Sequence, residues 1–240
     1  MNIEAHRIEV GGVHVDVVRK PIKNLHLGVY PPHGRVRVAA PLGVSDEAVR
    51  LAVVTRMSWI KRQRAKFDAQ PRQSERTYVS GESHYFLGQR CRLTLIEGAP
   101  TGRVRVRNSQ NLELHVRNGS DTSVRQRVFL TWYRRELRNR AEPIIEKWSA
   151  EMGILVPAWG IKEMKTKWGT CNIEAKRIWL NLELIKKPPQ CLEYIIVHEL
   201  THFFERNHSD RFVALLDVSM PNWRTLRDEL NVQPLAHEEW

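Results

Sequence analysis

The chain has 240 residues, 42% of them hydrophobic, which is enough for one large domain or two small ones with a real core and excludes a disordered chain. Cys91, Cys171 and Cys191 are odd in number and widely spaced, which excludes a disulfide framework and suits a reducing cytoplasm; with no signal-peptide pattern and no apolar run of about 18 residues, a soluble protein that is neither exported nor in contact with a membrane is expected. The net charge of +11 is uneven, since residues 1–150 carry 27 Lys+Arg against 14 Asp+Glu (+13) and residues 151–240 carry 11 against 13 (−2).

Taken in chain order, period-2 alternation at Ile3–Val10, Val13–Val18, Leu25–Tyr30 and Arg35–Val38 predicts short strands, with Pro31-Pro32-His33-Gly34 as a turn. Ser45-Asp46-Glu47 reads as a helix cap, and the spacing of Val49, Ala52, Val53, Met57, Trp59 and Ile60 predicts one helix to about Phe67. Strands resume at Thr77–Leu87, Arg90–Ile96, Arg103–Val106 and Leu112–Val116. After the Asn118-Gly119 turn, Ser120 or Asp121 caps a long amphipathic helix to about Met152, with Val124, Val128, Trp132, Ile145 and Trp148 as core candidates. That helix carries Arg125, Arg127, Arg134, Arg135, Arg138 and Arg140. Together with Arg103, Arg105 and Arg107 they suggest a polyanionic partner, such as nucleic acid held without sequence preference, against the plainer reading of a solvated basic surface.

Two further strands are predicted at Ile161–Trp168 and Arg177–Leu184, joined around Gly169-Thr170-Cys171-Asn172. Lys186-Lys187-Pro188-Pro189 then breaks the pattern before a helix beginning near Gln190. Its apolar positions Leu192, Ile195, Ile196 and Leu200 make it a buried helix, and it carries His198-Glu199-Leu200-Thr201-His202. Four residues are about one helical turn, so both imidazoles leave one face and can hold one ion. Glu199 stands beside the metal without ligating it, placed to take the proton of a zinc-activated water and return it to the leaving amine. His208, six residues after His202, supplies the third ligand of an open site if the intervening residues end the helix and Asn207 takes the left-handed conformation that turns the chain back. One Zn²⁺ per chain and a protein or peptide substrate are expected.

These residues carry a resemblance. Met164-Lys165-Thr166-Lys167-Trp168-Gly169-Thr170-Cys171, Ile178-Trp179-Leu180-Asn181, the His198–His202 run, Asn207-His208-Ser209 with Phe212, and Met220-Pro221 are similar to the YgjP-like metallopeptidases, predicted metal-dependent hydrolases with a zincin-type active-site helix. Gly81-Glu82, Tyr85–Gly88 and Trp59-Ile60 agree. The resemblance implies His198, His202 and His208 as metal ligands and Glu199 as catalytic acid/base. Related spacing occurs in WLM and SprT-like proteases, which act on proteins bound or cross-linked to DNA, and in metzincins, whose pattern asks for glycine where this chain has Glu205. Met220 reads as a core residue rather than a Met-turn, and Cys171 as a buried thiol rather than the cysteine ligand seen in peptide deformylases. Asn181 or Tyr194 could polarise a scissile carbonyl, but sequence gives neither a distance, so neither is counted among the site residues.

The expected fold is α+β, with a basic, β-rich part over residues 1–118 and a zincin-like part, an active-site helix with a small sheet, over 119–240. The expected function is a zinc metallopeptidase; the alternatives are another zinc amide hydrolase and a nucleic-acid-associated protease or module.

Overall fold

The computed structural model describes residues 5–30, 34–69, 76–164 and 167–232, so the turn expected at Pro31–His33 and the motif residues Lys165 and Thr166 lie outside the described residues. The described residues divide into two compact units, one within residues 1–73 and one within residues 74–233. The mixed helix and strand content is that of an α+β protein.

The first unit is a four-stranded sheet of order β1-β2-β4-β3, formed by β1 (Ala5–Val10), β2 (Val13–Lys20), β3 (His26–Tyr30) and β4 (Arg35–Pro41). Strands β1 and β2 are joined by Gly11 (φ 56) and Gly12 (φ 75), the two consecutive positive-φ positions that a tight two-residue hairpin demands. Alternation then puts Val13, Val15, Val17, Val36, Val38 and Ala40 on the buried face. Helices α1 (Asp46–Thr55) and α2 (Met57–Ala69) contribute Val49, Val53 and Ile60 to the same core. Ser45 caps α1 as expected, its Oγ accepting from Ala48 N–H at 3.2 Å. The single helix expected over this stretch is in fact two, because Arg56 leaves the helical region (φ −107, ψ 11).

The second unit opens with a sheet of order β5-β6-β8-β7, built from β5 (Ser83–Phe86), β6 (Gln89–Glu97), β7 (Arg103–Asn108) and β8 (Asn111–Val116). Helix α3 (Thr122–Glu151) is capped by Asp121, which accepts from Val124 N–H at 2.8 Å. Its buried stripe is Phe129, Trp132, Tyr133, Leu137, Ala141, Ile145 and Trp148, a 3.6-residue period shifted slightly from the expected one, with Val124 and Val128 half-buried at its margin. A three-stranded sheet follows, order β10-β11-β9, from β9 (Ala158–Lys162), β10 (Gly169–Asn172) and β11 (Arg177–Asn181). The predicted hairpin is therefore corrected: Gly169–Asn172, expected as the connection, is itself the edge strand, antiparallel to β11, while β9 runs parallel to β11 on the other side. A short 3-10 turn (Leu182–Lys186) leads into α4 (Pro189–Thr201), α5 (Asp210–Ser219) and α6 (Trp223–Val232).

One continuous core runs from Leu93 and Leu114 through Phe129 and Leu180 to Ile196 and Phe212. The division expected after residue 118 falls inside this unit, because the sheet of β5 to β8 buries its face against α3 and α3 in turn packs on α4. The start of α4 is fixed by the β5–β6 turn: Leu87 and Gly88 N–H donate to the Ile185 and Lys186 carbonyls at 2.9 and 3.1 Å. Gly88 (φ 80) is required there, since a Cβ would stand 2.9 Å from Pro188 Cγ and 3.1 Å from its nitrogen.

A buried polar knot stands at the edge of this core. Glu82 accepts from Thr77 N–H at 2.7 Å, Tyr78 N–H at 3.0 Å and His84 Nε2 at 3.0 Å, and the His84 ring lies 4.5 Å from that of Phe129. Burial, then the nearby Arg76 charge, push the His84 pKa down to about 4 against the pull of Glu82. The folded protein thus refuses a proton that the unfolded chain accepts near ~6.5. Stability from this group is complete above about pH 6.5 and is lost as pH falls toward 4. Urea midpoints measured through that window should fall less steeply in His84→Gln than in wild type, and parallel slopes would contradict this assignment.

Candidate metal centre

Helix α4 is buried on most of its surface, with Leu192, Ile195, Ile196, Val197 and Leu200 in the core. That burial fixes its rotation and points the remaining face, bearing Tyr194, His198, Glu199 and His202, into a cleft of about 640 Å³. The helix ends at Thr201, where Phe203 and Phe204 N–H turn back onto the Leu200 and Thr201 carbonyls, both at 3.0 Å. Asn207 does not take the expected left-handed conformation; among described non-glycine residues positive φ occurs at Tyr78, Leu87 and Lys176. The chain is reversed instead by this tightened helix end and by Glu205, whose carboxylate accepts from Asn207 N–H at 3.2 Å. Ser209 then caps α5, its Oγ accepting from Phe212 N–H at 3.4 Å.

This path brings His208 back onto α4. One ring nitrogen from each of His198, His202 and His208 lies within 4.8 Å of the others, and the Nε2 atoms of His198 and His208 are 3.0 Å apart. Two ligand nitrogens on a tetrahedral zinc stand roughly 3.3 Å apart, so the three rings are nearly at ligand spacing. The ring of Phe212 lies beneath them, 5.0, 4.7 and 4.8 Å from His198, His202 and His208. This buried floor on α5 belongs to the site; in the sequence Phe212 stands out only through the resemblance that includes Asn207-His208-Ser209, with no role attached to it.

The protonation states suit metal binding. Burial, reinforced by His202 and His208, pushes His198 down to about 3; burial also lowers His202. Both rings therefore keep lone pairs at neutral pH. His202 Nδ1–H donates to the Glu205 carbonyl at 3.1 Å, which leaves Nε2 free to ligate. His198 Nδ1 is buried with no acceptor among the described residues, so a cation at Nε2 would be what fixes this ring's tautomer. The donor set and its spacing fit a divalent ion of the zinc type.

Glu199 faces the same cleft and is 5% exposed. It lies against the backbone of β10: a Cβ on Gly169 would meet Glu199 Oε1 at 2.6 Å and Cγ at 2.8 Å, so this close approach needs glycine. Burial raises its pKa to about 8, with Lys167 pulling the other way, and a divalent cation would reverse that rise. Cys171, half-buried on β10, is not grouped with the three histidines. Burial and then Glu199 push its thiol up to about 11, the opposite of an activated thiolate. Met220 is buried in the core. Tyr194 lines the cleft with its ring 5.9 Å from that of His198. Asn181 does not face the cleft: it is 4% exposed, and its amide spans the loop before β10, donating to the Met164 and Lys167 carbonyls at 2.9 and 2.8 Å and accepting from Met164 N–H at 3.3 Å. Its role is to hold the backbone of Lys167, a cleft residue.

The family model for the YgjP-like metallopeptidase domain matches residues 23–233. The chain belongs to the YgjP-like metallopeptidase family. This YgjP-like protein is accordingly a metal-dependent peptidase. Among solved structures, the metallopeptidase zymogen abylysin of Pyrococcus abyssi is 20% identical, with a TM-score of 0.35 over 38% of this chain and 90% of that one. Jannalysin, the metallopeptidase zymogen of Methanocaldococcus jannaschii, is 25% identical, with a TM-score of 0.34 over 38% of this chain and 92% of its own. No curated protein matches the YgjP-like chain.

Replacing Asn181 by Ala removes four hydrogen bonds between a buried amide and the backbone, the three above and the one its Oδ1 accepts from Glu183 N–H at 3.2 Å. Stability should fall by about 1–3 kcal/mol, and the Met164 amide should lose hydrogen-exchange protection. Unchanged protection would show that Asn181 does not hold this loop.

Proposed function

We propose that this peptidase uses one zinc ion held by His198, His202 and His208, with Glu199 as general acid/base. The observation that carries the reading is the convergence of three imidazoles and one buried carboxylate on a single open cleft. A closed structural zinc has no use for a base beside it. When bound, the ion polarises the scissile carbonyl and acidifies water as a Lewis acid. Glu199 accepts the proton of the attacking water and delivers it to the amide nitrogen as that bond breaks, so its carboxylate ends the cycle as it began. Phe212 and the α4 core hold the imidazoles in place while this happens.

Substrate enters as an extended chain. Strand β10 is the edge of its sheet and lines the cleft from Gly169 to Asn172, so its free backbone groups are available to pair with a peptide without reading its side chains. Lys167, Arg206 and Arg227 reach the cleft from the loop before β10, the turn after α4 and helix α6. Within residues 151–240, which are net acidic, this gathering of cations favours peptides with Asp or Glu beside the scissile bond. No described helix is long and apolar enough to cross a membrane, and all three cysteines are free; we place the protein in a reducing cytoplasm.

The test is a metal assay joined to a proteome-derived peptide cleavage profile. Wild type should hold about one zinc per chain, and His208→Ala should hold much less. Glu199→Gln should keep its zinc and lose turnover by on the order of 10²-fold or more. Full turnover in Glu199→Gln would remove this residue from the mechanism.

A further inference from the structure

Part of the basic surface expected from composition gathers on one face of the second unit's first sheet. The arginine-rich helix α3 does not supply it, because most of its cations are engaged within the fold. Arg125 pairs with Glu97 at 3.5 Å, Arg135 and Arg140 with Glu136 at 3.6 and 2.7 Å, and Arg134 with Glu163, while Arg138 lies 4.8 Å over the Trp159 ring. Strands β6 and β7 are different. Their inward positions, Cys91, Leu93 and Val104, are buried, and the alternate positions Arg90, Arg92, Arg103 and Arg105 are all exposed. The registers put Arg92 opposite Asn111, Thr94 and Arg105 opposite Glu113, and Arg103 opposite His115, so these four share the outer face of the β5–β8 sheet. The bulge between Val106 and Asn108 keeps Arg107 on that face, where it pairs with Glu113 at 2.6 Å.

Glu113 is the acid within this array, and its carboxyl is already engaged by Arg107 and by His115 at 3.1 Å. Arg90, Arg92, Arg103 and Arg105 form no ion pair among the described residues. Cations two residues apart on one strand are about 6.8 Å apart, and β8 separates the two rows by roughly 10 Å. The chemistry is arginine's alone: no lysine occurs between Lys66 and Lys147, although lysine and arginine are used about equally after residue 150. A surface needed only for solubility has no reason to avoid lysine, whereas the planar, weakly hydrated guanidinium is suited to phosphate oxygens.

We propose that this outer face binds the phosphodiester backbone of nucleic acid. A protein partner would need an exposed apolar or aromatic centre to anchor on; on this face Tyr85, opposite Arg90, and Ile96, opposite His115, are half-buried, and the exposed side chains are the arginines with short polar neighbours such as Thr94. No groove-reading helix accompanies the array, so recognition is of backbone charge and not of sequence. This binding does not depend on the metal or on the peptidase reading.

Full-length protein titrated with a labelled 20-base-pair duplex should bind at 50 mM salt, with a logarithmic salt slope near −3 to −4 for four phosphate contacts, or about 100-fold weaker binding at 200 mM. Arg90→Gln/Arg92→Gln and Arg103→Gln/Arg105→Gln should each flatten the slope by about 2, whereas Arg134→Gln/Arg135→Gln on α3 should leave it unchanged. All these side chains are exposed, and circular dichroism of each variant confirms folding. The proposal is overturned by absent binding at 50 mM salt, by strand variants that bind like wild type, or by polyglutamate of equal charge competing as well as unlabelled duplex, which would assign the face to an acidic polypeptide.

Discussion

The site depends on how α4 is buried. A free helix with two histidines one turn apart would expose them in any direction, but the Leu192, Ile195, Ile196 and Leu200 side fixes the rotation of this one. Everything else at the centre is arranged around the face left over. His208 arrives through a tightened helix end, Phe212 closes the floor, and β10 comes close enough to Glu199 that residue 169 has no room for a side chain. The same burial sets the electrostatics, since water withdrawn from the helix keeps His198 and His202 neutral and raises the Glu199 carboxyl.

Proton affinities in this cleft and the metal are two sides of one balance. Three imidazoles facing each other across a few ångströms cannot all be protonated, and burial raises the carboxyl beside them against the opposing pull of Lys167. Each of these costs is one that a bound cation relieves. The chain therefore stores, in a packed core, a site that is electrostatically incomplete by itself, which is the arrangement expected when the ligand set is selected for metal and not for stability.

Much of this was legible because the signals were local. The caps at Ser45 and Asp121, the alternation in β2 and β4, and the helical spacing of the histidines are each set by neighbours within a few residues, and the His198-Glu199-x-x-His202 run marks two candidate ligands on one helix face by spacing alone. What was hidden is long-range. Gly169-Thr170-Cys171-Asn172 has the composition of a turn, and it becomes a strand only by pairing with β11 and accepting Glu199 against its backbone. The break at Arg56 has no glycine or proline to announce it. Nothing in the sequence places Asn181 in or away from the cleft, and its buried amide is spent on Met164 and Lys167 fourteen and more residues away in sequence. The sharing of one sheet face by arginines from β6 and β7 likewise follows from register, which no periodicity count supplies.

The central claim is that three imidazoles, and not a thiolate, hold the ion. X-ray absorption at the zinc edge of the purified protein measures that directly. The account predicts three nitrogen scatterers at about 2.0–2.1 Å with one further light atom completing the shell. A sulfur scatterer at about 2.3 Å that disappears in Cys171→Ser would contradict it and transfer the third ligand position from His208 to β10.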